Sequence, residues 1–203
     1  MLKDKLKDYR IILASGSPRR QQFFRDLGID FEIRLQPVRE EFPDHLRGKE
    51  ITEYLAELKA SPFKDSLASN EILVTSDTIV WFQDRALEKP VDPAHALEML
   101  RELRGEIHEV ITSVSFTQSG QTKTVSATTR VTLSDLEDEE LEYYIDTFRP
   151  FDKAGAYGIQ EWIGLIGVEH LEGSYFNVVG LPTHLVYQTL LELVREKEIS
   201  GDF

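Results

Sequence analysis

There is no cysteine in this 203-residue chain, which excludes disulfides, thiolate metal sites and thiol nucleophiles. Nor is there an apolar stretch approaching the roughly 20 residues that a membrane-spanning helix requires. The first ten residues, "MLKDKLKDYR", are charged throughout and lack the apolar core of a secretory signal. The expectation is a soluble, cytoplasmic protein with no membrane partner. Positive charge is also scarce. Lys and Arg total 23 against 36 Asp and Glu, a formal charge of −13, whereas a chain that binds DNA or RNA needs the opposite balance. A nucleic-acid polymer is therefore excluded as partner. An anionic small molecule remains possible if the few cations are gathered locally and a metal cation assists.

Several motif classes are missing as well. Neither GxxxxGK[ST] nor GxGxxG occurs, so a P-loop and a dinucleotide fingerprint are excluded. No HExxH, no clustered His ligand set and no assignable Ser/His/Asp triad is present. With no internal repeat, low-complexity tract or Gly/Ser linker, residues 1–203 read as one domain.

What is present alternates between strand and helix signals. "YRIILAS" (9–15) suits a buried strand, and "SPRRQQFFRDLG" follows with Ser17 as cap, Pro18 at the first helical position and Gly28 as stop. "DFEIRL" alternates as a short strand. "EITEYLAELKASPF" reads as a helix with Thr52 as a candidate cap and Leu55 and Leu58 on one side, with Pro62 ending it or following its end. "EILVTSDTIVWF" (71–82) is strand-like, and "DPAHALEMLRELRG" is a helix from Asp92 and Pro93 to Gly105. A hairpin turns near Ser119 and Gly120. "SDLEDEELEYYIDTF" opens with Ser134 and Glu137 spaced as a capping box, which makes its acids helix decoration. "DKAGAYGIQ" (152–160) reads as a loop at a site, and "VVGLPTHLVYQTLLELVREKE" as a short strand, a turn and a closing helix. The class is mixed α/β.

Arg19 and Arg20 lie where a helix begins, a place that disfavours cations unless an anion binds there. A phosphate or carboxylate on the Ser15-Gly16-Ser17 turn would account for both, the alternative being two solvent-facing arginines. Asp77 interrupts an apolar strand, where an unpaired carboxylate is costly, so it belongs at a strand end, a bulge or a metal. Glu40, on a loop in "PVREEF", is a second carboxylate able to share that metal or simply to be solvated. Lys59 in "LAELKA" and Lys89 in "LEKP" read as surface lysines when taken singly. Lys153 stands out because its loop is rich in glycine, and His108 in "GEIHEV" reads as a core or surface histidine.

Taken in order, "LASGSPRR", "LAELKA", "SDTIV", "LEKP", "ALEMLRELRGEIHEVITSV", "DKAGAYGIQ" and "GSYFNVVGLP" resemble the motif series of the Maf family of nucleoside triphosphate pyrophosphatases. The resemblance runs from about residue 9 to 190, and its last two motifs are closer to the dTTP/UTP branch than to the 7-methyl-GTP branch. It implies an elongated Ham1-like mixed sheet with flanking helices, two lobes around a central cleft. It further implies hydrolysis between the α and β phosphates, a divalent cation (Mg²⁺, with Mn²⁺ or Co²⁺ as alternatives) and a homodimer. Carried over by position, Asp77 matches the general base and Glu40 an acid that helps hold metal. Arg19, Arg20, Lys59 and Lys89 match positions lining the triphosphate, and Arg19, Thr78 and Gln160 those tied to base preference. Ser15 and Lys153 complete the expected substrate contacts. One departure is visible: Glu161 stands where a glycine is expected, beside the base pocket. Rival readings are a modified-nucleotide pyrophosphatase, a nucleotide-binding regulator of division and septum formation that does not turn over, and an acidic interaction scaffold.

Overall fold

Strand β1 (Arg10–Leu13), helix α2 (Pro18–Asp26) and strand β2 (Phe31–Ile33) form a unit in which the two strands pair in parallel. The computed structural model describes the backbone of residues 1–200 and the side chains of residues 1–195. A one-turn helix, α1 (Leu2–Lys5), precedes β1 and tucks Leu2 into the interior. Helix α3 (Lys49–Ala60) then leads into the twelve-residue strand β3 (Glu71–Phe82), which pairs in parallel with β1. Strand β4 (Arg85–Leu87) folds back on β3, and helix α4 (Pro93–Leu103) follows. The long hairpin β5 (Ile107–Gln118) and β6 (Gln121–Leu133) comes next. Helices α5 (Asp138–Phe148) and α6 (Trp162–Gly167), strand β7 (Val168–Glu172), and helices α7 (Tyr175–Val179) and α8 (Thr183–Ser200) complete the chain. The result is a seven-stranded mixed sheet in the order β2-β1-β3-β5-β6-β7, with β4 beside β3.

The path of β3 creates the site. Along one edge, its residues 71–74 pair with β1 and its residues 80–82 pair with β4. Between these two partners lies a gap, while the opposite edge is paired with β5 throughout residues 73–81. Two large apolar clusters flank the gap. One joins α1, β1, α2, the start of β3 and α8 around Phe24, Leu13 and Leu190. The other joins the end of β3, β4, α4, α5 and α6 around Leu100, Tyr144 and Ile163. Helix α3 covers one face of the sheet and buries Ile51 and Leu55 against Ile79 and Ile111.

Several sequence-based element readings need correction. Thr52 does not cap α3. Gly48 does, and Thr52 sits within the first turn, donating to the Lys49 carbonyl and sharing a 2.6 Å hydrogen bond with Ser113. The capping box of α5 is Glu137 with Glu140 rather than Ser134 with Glu137, because Ser134 is drawn to the Gly167 carbonyl. Residues 175–179 form a helical turn and not a strand, since Ser174 caps it through the Asn177 amide while the Asn177 side chain bonds Val110 and Thr129. Strands β4 and β7 and helix α6 are short and carry little periodic signal of their own.

The loop 152–160 is held from beneath. Gly155 has φ +67, and a Cβ there would lie 2.8 Å from Val80. Tyr157 meets His108 through a 2.7 Å hydrogen bond, with the rings edge to face. Burial keeps His108 neutral, lowering its pKa from 6.5 to about 4. A base with a depressed folded pKa gives its full stability above the unfolded value and loses it as pH falls. Wild type should therefore lose about 2 kcal/mol more than His108→Phe between pH 7 and 4.5, measured by urea denaturation at each pH. Gly155→Ala should cost roughly 1–3 kcal/mol in the same assay at pH 7.

Candidate active site

Side chains alternate along β3, so Thr75, Asp77 and Ile79 face α3 while Ser76, Thr78 and Val80 face the other way. Thr75 donates to the Ala56 carbonyl of α3 at 2.7 Å, which fixes the helix against the strand. One turn further along α3, Lys59 reaches into the sheet gap. Its ammonium lies 2.7 Å from Asp77 Oδ1 and 2.8 Å from Glu40 Oε2. Asp77 is 7% exposed, a depth at which a carboxylate requires a cationic partner. Its other oxygen takes no hydrogen bond among the described residues and is left for a ligand or water.

On the opposite face Arg20 fills the same gap. Its Nη1 donates to the Ser76 carbonyl, its Nη2 to Thr78 Oγ1 and its Nε to the Gly180 carbonyl, each at 2.9 Å. The planar guanidinium thus ties α2 to β3 and to the turn after α7. Burial lowers its pKa, and the nearby charge of Asp77 partly offsets this; an arginine remains charged all the same. Ser17 caps α2 through the Arg20 amide, and Ser15 Oγ accepts from the Ser17 amide, which shapes the turn over the gap.

Arg19 points along the cleft to Asp152, with Nη1 3.2 Å from Oδ2. Lys153 is almost fully buried between Asp152 (2.7 Å) and Glu161 (3.0 Å). Burial pushes the Asp152 carboxyl up, but the hydrogen bond and charge of Lys153, together with Arg19, outweigh it and hold the pKa below the usual range. Lys89 is exposed at the cleft mouth and makes no ion pair among the described residues, and Gln160 is exposed across from it.

All of these groups line a single cleft of about 770 Å³: Ser15, Arg19 and Arg20 from one lobe, Glu40 and Lys59 with Asp77 and Thr78 on the floor, and Lys89, Lys153 and Gln160 from the other lobe. The volume suits a nucleotide-sized ligand. Sequence reasoning missed Asp152 and Glu88, which also line it, and Tyr144, which donates to Glu161. Asp152 adjoins Lys153 in the glycine-rich loop, a signal that was available; Tyr144 carried none, sitting on an ordinary helical face. Glu161 does not line the cleft. Its carboxylate turns inward to Lys153 and Tyr144, so it does not crowd Gln160 from the ligand side.

A buried carboxylate in a sheet gap, ringed by cations, is chemically suited to a polyanion. The model of the Maf-like protein family matches residues 10–193, and the chain belongs to the Maf family. Relatives named dTTP/UTP pyrophosphatase include one from Flavobacterium johnsoniae, 57% identical over 96% of this chain and 100% of its own length. Another, from Christiangramia forsetii, is 56% identical over 96% and 99%, and one from Bacteroides fragilis 46% identical over 93% and 98%. Among solved structures, a nucleoside-triphosphatase / dITP/XTP pyrophosphatase from Mycobacterium abscessus is similar at 14% identity and TM-score 0.41, covering 92% of this chain and 96% of that one. No helix among the described residues is long and apolar enough to cross a membrane.

Replacing Arg20 by lysine should cost roughly 2–4 kcal/mol, because one ammonium cannot serve three fixed acceptors spread across a plane. Urea denaturation of Arg20→Lys against wild type at pH 7 measures it.

Proposed function

We propose that the chain is a nucleoside triphosphate pyrophosphatase that hydrolyses dTTP and UTP to the monophosphate and pyrophosphate, clearing nucleotide pools. The observation that carries this reading is Asp77, a nearly buried carboxylate on the floor of a cation-lined cleft. High identity over almost the whole chain to proteins named for that activity supports the substrate.

In this mechanism Asp77 accepts a proton from a water as the water oxygen attacks the α phosphorus. The bond from that phosphorus to the α–β bridging oxygen breaks, and pyrophosphate leaves with the electron pair. Arg19, Lys59 and Lys89 stabilise the charge that develops on the phosphate oxygens. Because Lys59 is shared between Glu40 and Asp77 in the free protein, a triphosphate competes with those carboxylates for its ammonium. Arg20 contributes fixed positive charge while its donors hold the floor in place. Gln160 offers an acceptor and a donor side by side, complementary to N3–H and O4 of uracil or thymine, and its flipped amide also suits cytosine.

Two carboxylates converging on one ammonium form an oxygen donor pair that fits a divalent cation such as Mg²⁺, Mn²⁺ or Co²⁺. No group of three or more His, Asp or Glu able to cage a metal occurs among the described residues, which accords with an ion that takes its other ligands from water and substrate. Glu40 and Asp77 would hold it, and when bound it supplies Lewis-acid charge neutralisation on the phosphates. A cytoplasmic homodimer is part of the same proposal, and sedimentation velocity tests the dimer.

Pyrophosphate release from dTTP, UTP, CTP, dATP, GTP and 7-methyl-GTP, each with Mg²⁺ or Mn²⁺, tests the reading. We expect turnover of dTTP and UTP, reduced about 10²–10⁴-fold in Asp77→Asn with nucleotide binding retained. Turnover confined to 7-methyl-GTP would overturn the substrate, and tight binding without turnover would overturn the enzyme.

A further inference from the structure

Behind the cleft wall lies a line of polar groups that the proposed reaction does not use directly. It starts at Tyr144 on α5, whose side chain is fully enclosed and stacks on Phe148 at 5.3 Å. The Tyr144 hydroxyl accepts the Gly158 amide proton at 3.0 Å and donates its own to Glu161 Oε2. Burial, and then this bond to Glu161, raise the Tyr144 pKa, so the phenol remains a donor. Glu161 Oε1 holds Lys153, Lys153 holds Asp152 Oδ1, and Asp152 Oδ2 holds Arg19 across the cleft.

The loop has no slack around this line. A Cβ on Gly158 would lie 3.0 Å from both the Glu161 carboxylate and the Lys153 side chain, so the backbone is wrapped directly on the ion pair. Gly164 in α6 is packed far harder, its missing Cβ falling 1.9 Å from the Ile159 carbonyl oxygen. Gln160 sits between these two constraints in the sequence and lines the cleft. An amide meets the edge of a base at a set position only if the backbone that carries it is fixed. Lys153 has a matching need. A nearly buried ammonium that lost Glu161 would rely on Asp152 alone.

We propose that Glu161, braced by Tyr144, is a positioning residue for base selection: with Lys153 it fixes the backbone that presents Gln160. This deepens the pyrimidine-nucleotide reading above and rests on it. The residue that departs from the expected glycine thus acts from behind the pocket.

The test is Glu161→Gln, which keeps shape and removes charge, beside Tyr144→Phe, which removes one hydroxyl. For Glu161→Gln we expect a KM for UTP raised about tenfold, kcat within about twofold, and a UTP:CTP ratio of kcat/KM lowered about tenfold. Tyr144→Phe shifts both in the same direction by about threefold and decides alone if Glu161→Gln does not fold, judged by circular dichroism and thermal unfolding. An unchanged UTP:CTP ratio overturns the proposal, and so does a fall in kcat that is equal for all nucleotides. Calorimetric binding of UTP and CTP to the same three proteins keeps the two claims apart. A wild type that prefers UTP without turning it over contradicts the enzymatic reading while the ratio in the variants still decides on Glu161. Equal binding of UTP and CTP by wild type overturns the role given to Glu161.

Discussion

A carboxylate in the middle of a β-sheet is the constraint on which this molecule turns. Asp77 is nearly enclosed, and such a charge survives only with a cation at hand and the remaining polar atoms satisfied. Lys59 from α3 answers from one face and Arg20 from α2 approaches from the other. Those two requirements fix where both helices sit. They also explain why β3 lacks a neighbour between β1 and β4: a continuous ladder would use the Ser76 carbonyl that Arg20 now takes and close the opening that a ligand needs. Placing an acid here therefore determines the architecture around it.

The charge distribution follows the same logic. A body of net charge −13 repels a triphosphate at long range, so affinity has to come from short-range contacts. Three of the cleft cations are paired with carboxylates: Lys59 with Glu40 and Asp77, Lys153 with Asp152 and Glu161, and Arg19 with Asp152. Like-charged side chains can then share one small cleft before any ligand arrives. In the proposed reaction an anion with several oxygens exchanges with those carboxylates, and the proposal leaves specificity to the shape of the pocket and the amide of Gln160.

Much of this could be read in the chain itself. The strand of residues 71–82, the hairpin turning at Ser119 and Gly120, and the Ser17-Pro18 and Asp92-Pro93 helix starts all follow local rules strong enough to survive packing. Asp77, as a charge among apolar neighbours, and Arg19-Arg20, as cations at a helix start, were legible because they broke a local rule, whereas Lys59, Lys89, Thr78 and Gln160 came with the family resemblance. Pairwise partnership was not legible. Nothing local says that Arg20 clamps the floor while its neighbour Arg19 faces Asp152, or that Glu161 turns away from the cleft, because those outcomes depend on contacts between residues as far apart as 160 positions. The same holds for Thr52 and Ser134, where a tertiary partner replaced the expected cap. Short elements such as β4 and α7 were misread or missed because three to five residues carry too little periodicity to register.

The central claim is that water directed by Asp77 attacks the α phosphorus, and oxygen-isotope tracing tests it most directly. Hydrolysis of dTTP in water enriched in ¹⁸O, with the products resolved by ³¹P NMR or mass spectrometry, should place one heavy oxygen on the nucleoside monophosphate and none on pyrophosphate. Heavy oxygen on pyrophosphate, or its appearance on free inorganic phosphate, would mean attack at the β or γ phosphorus and would contradict the role assigned to Asp77.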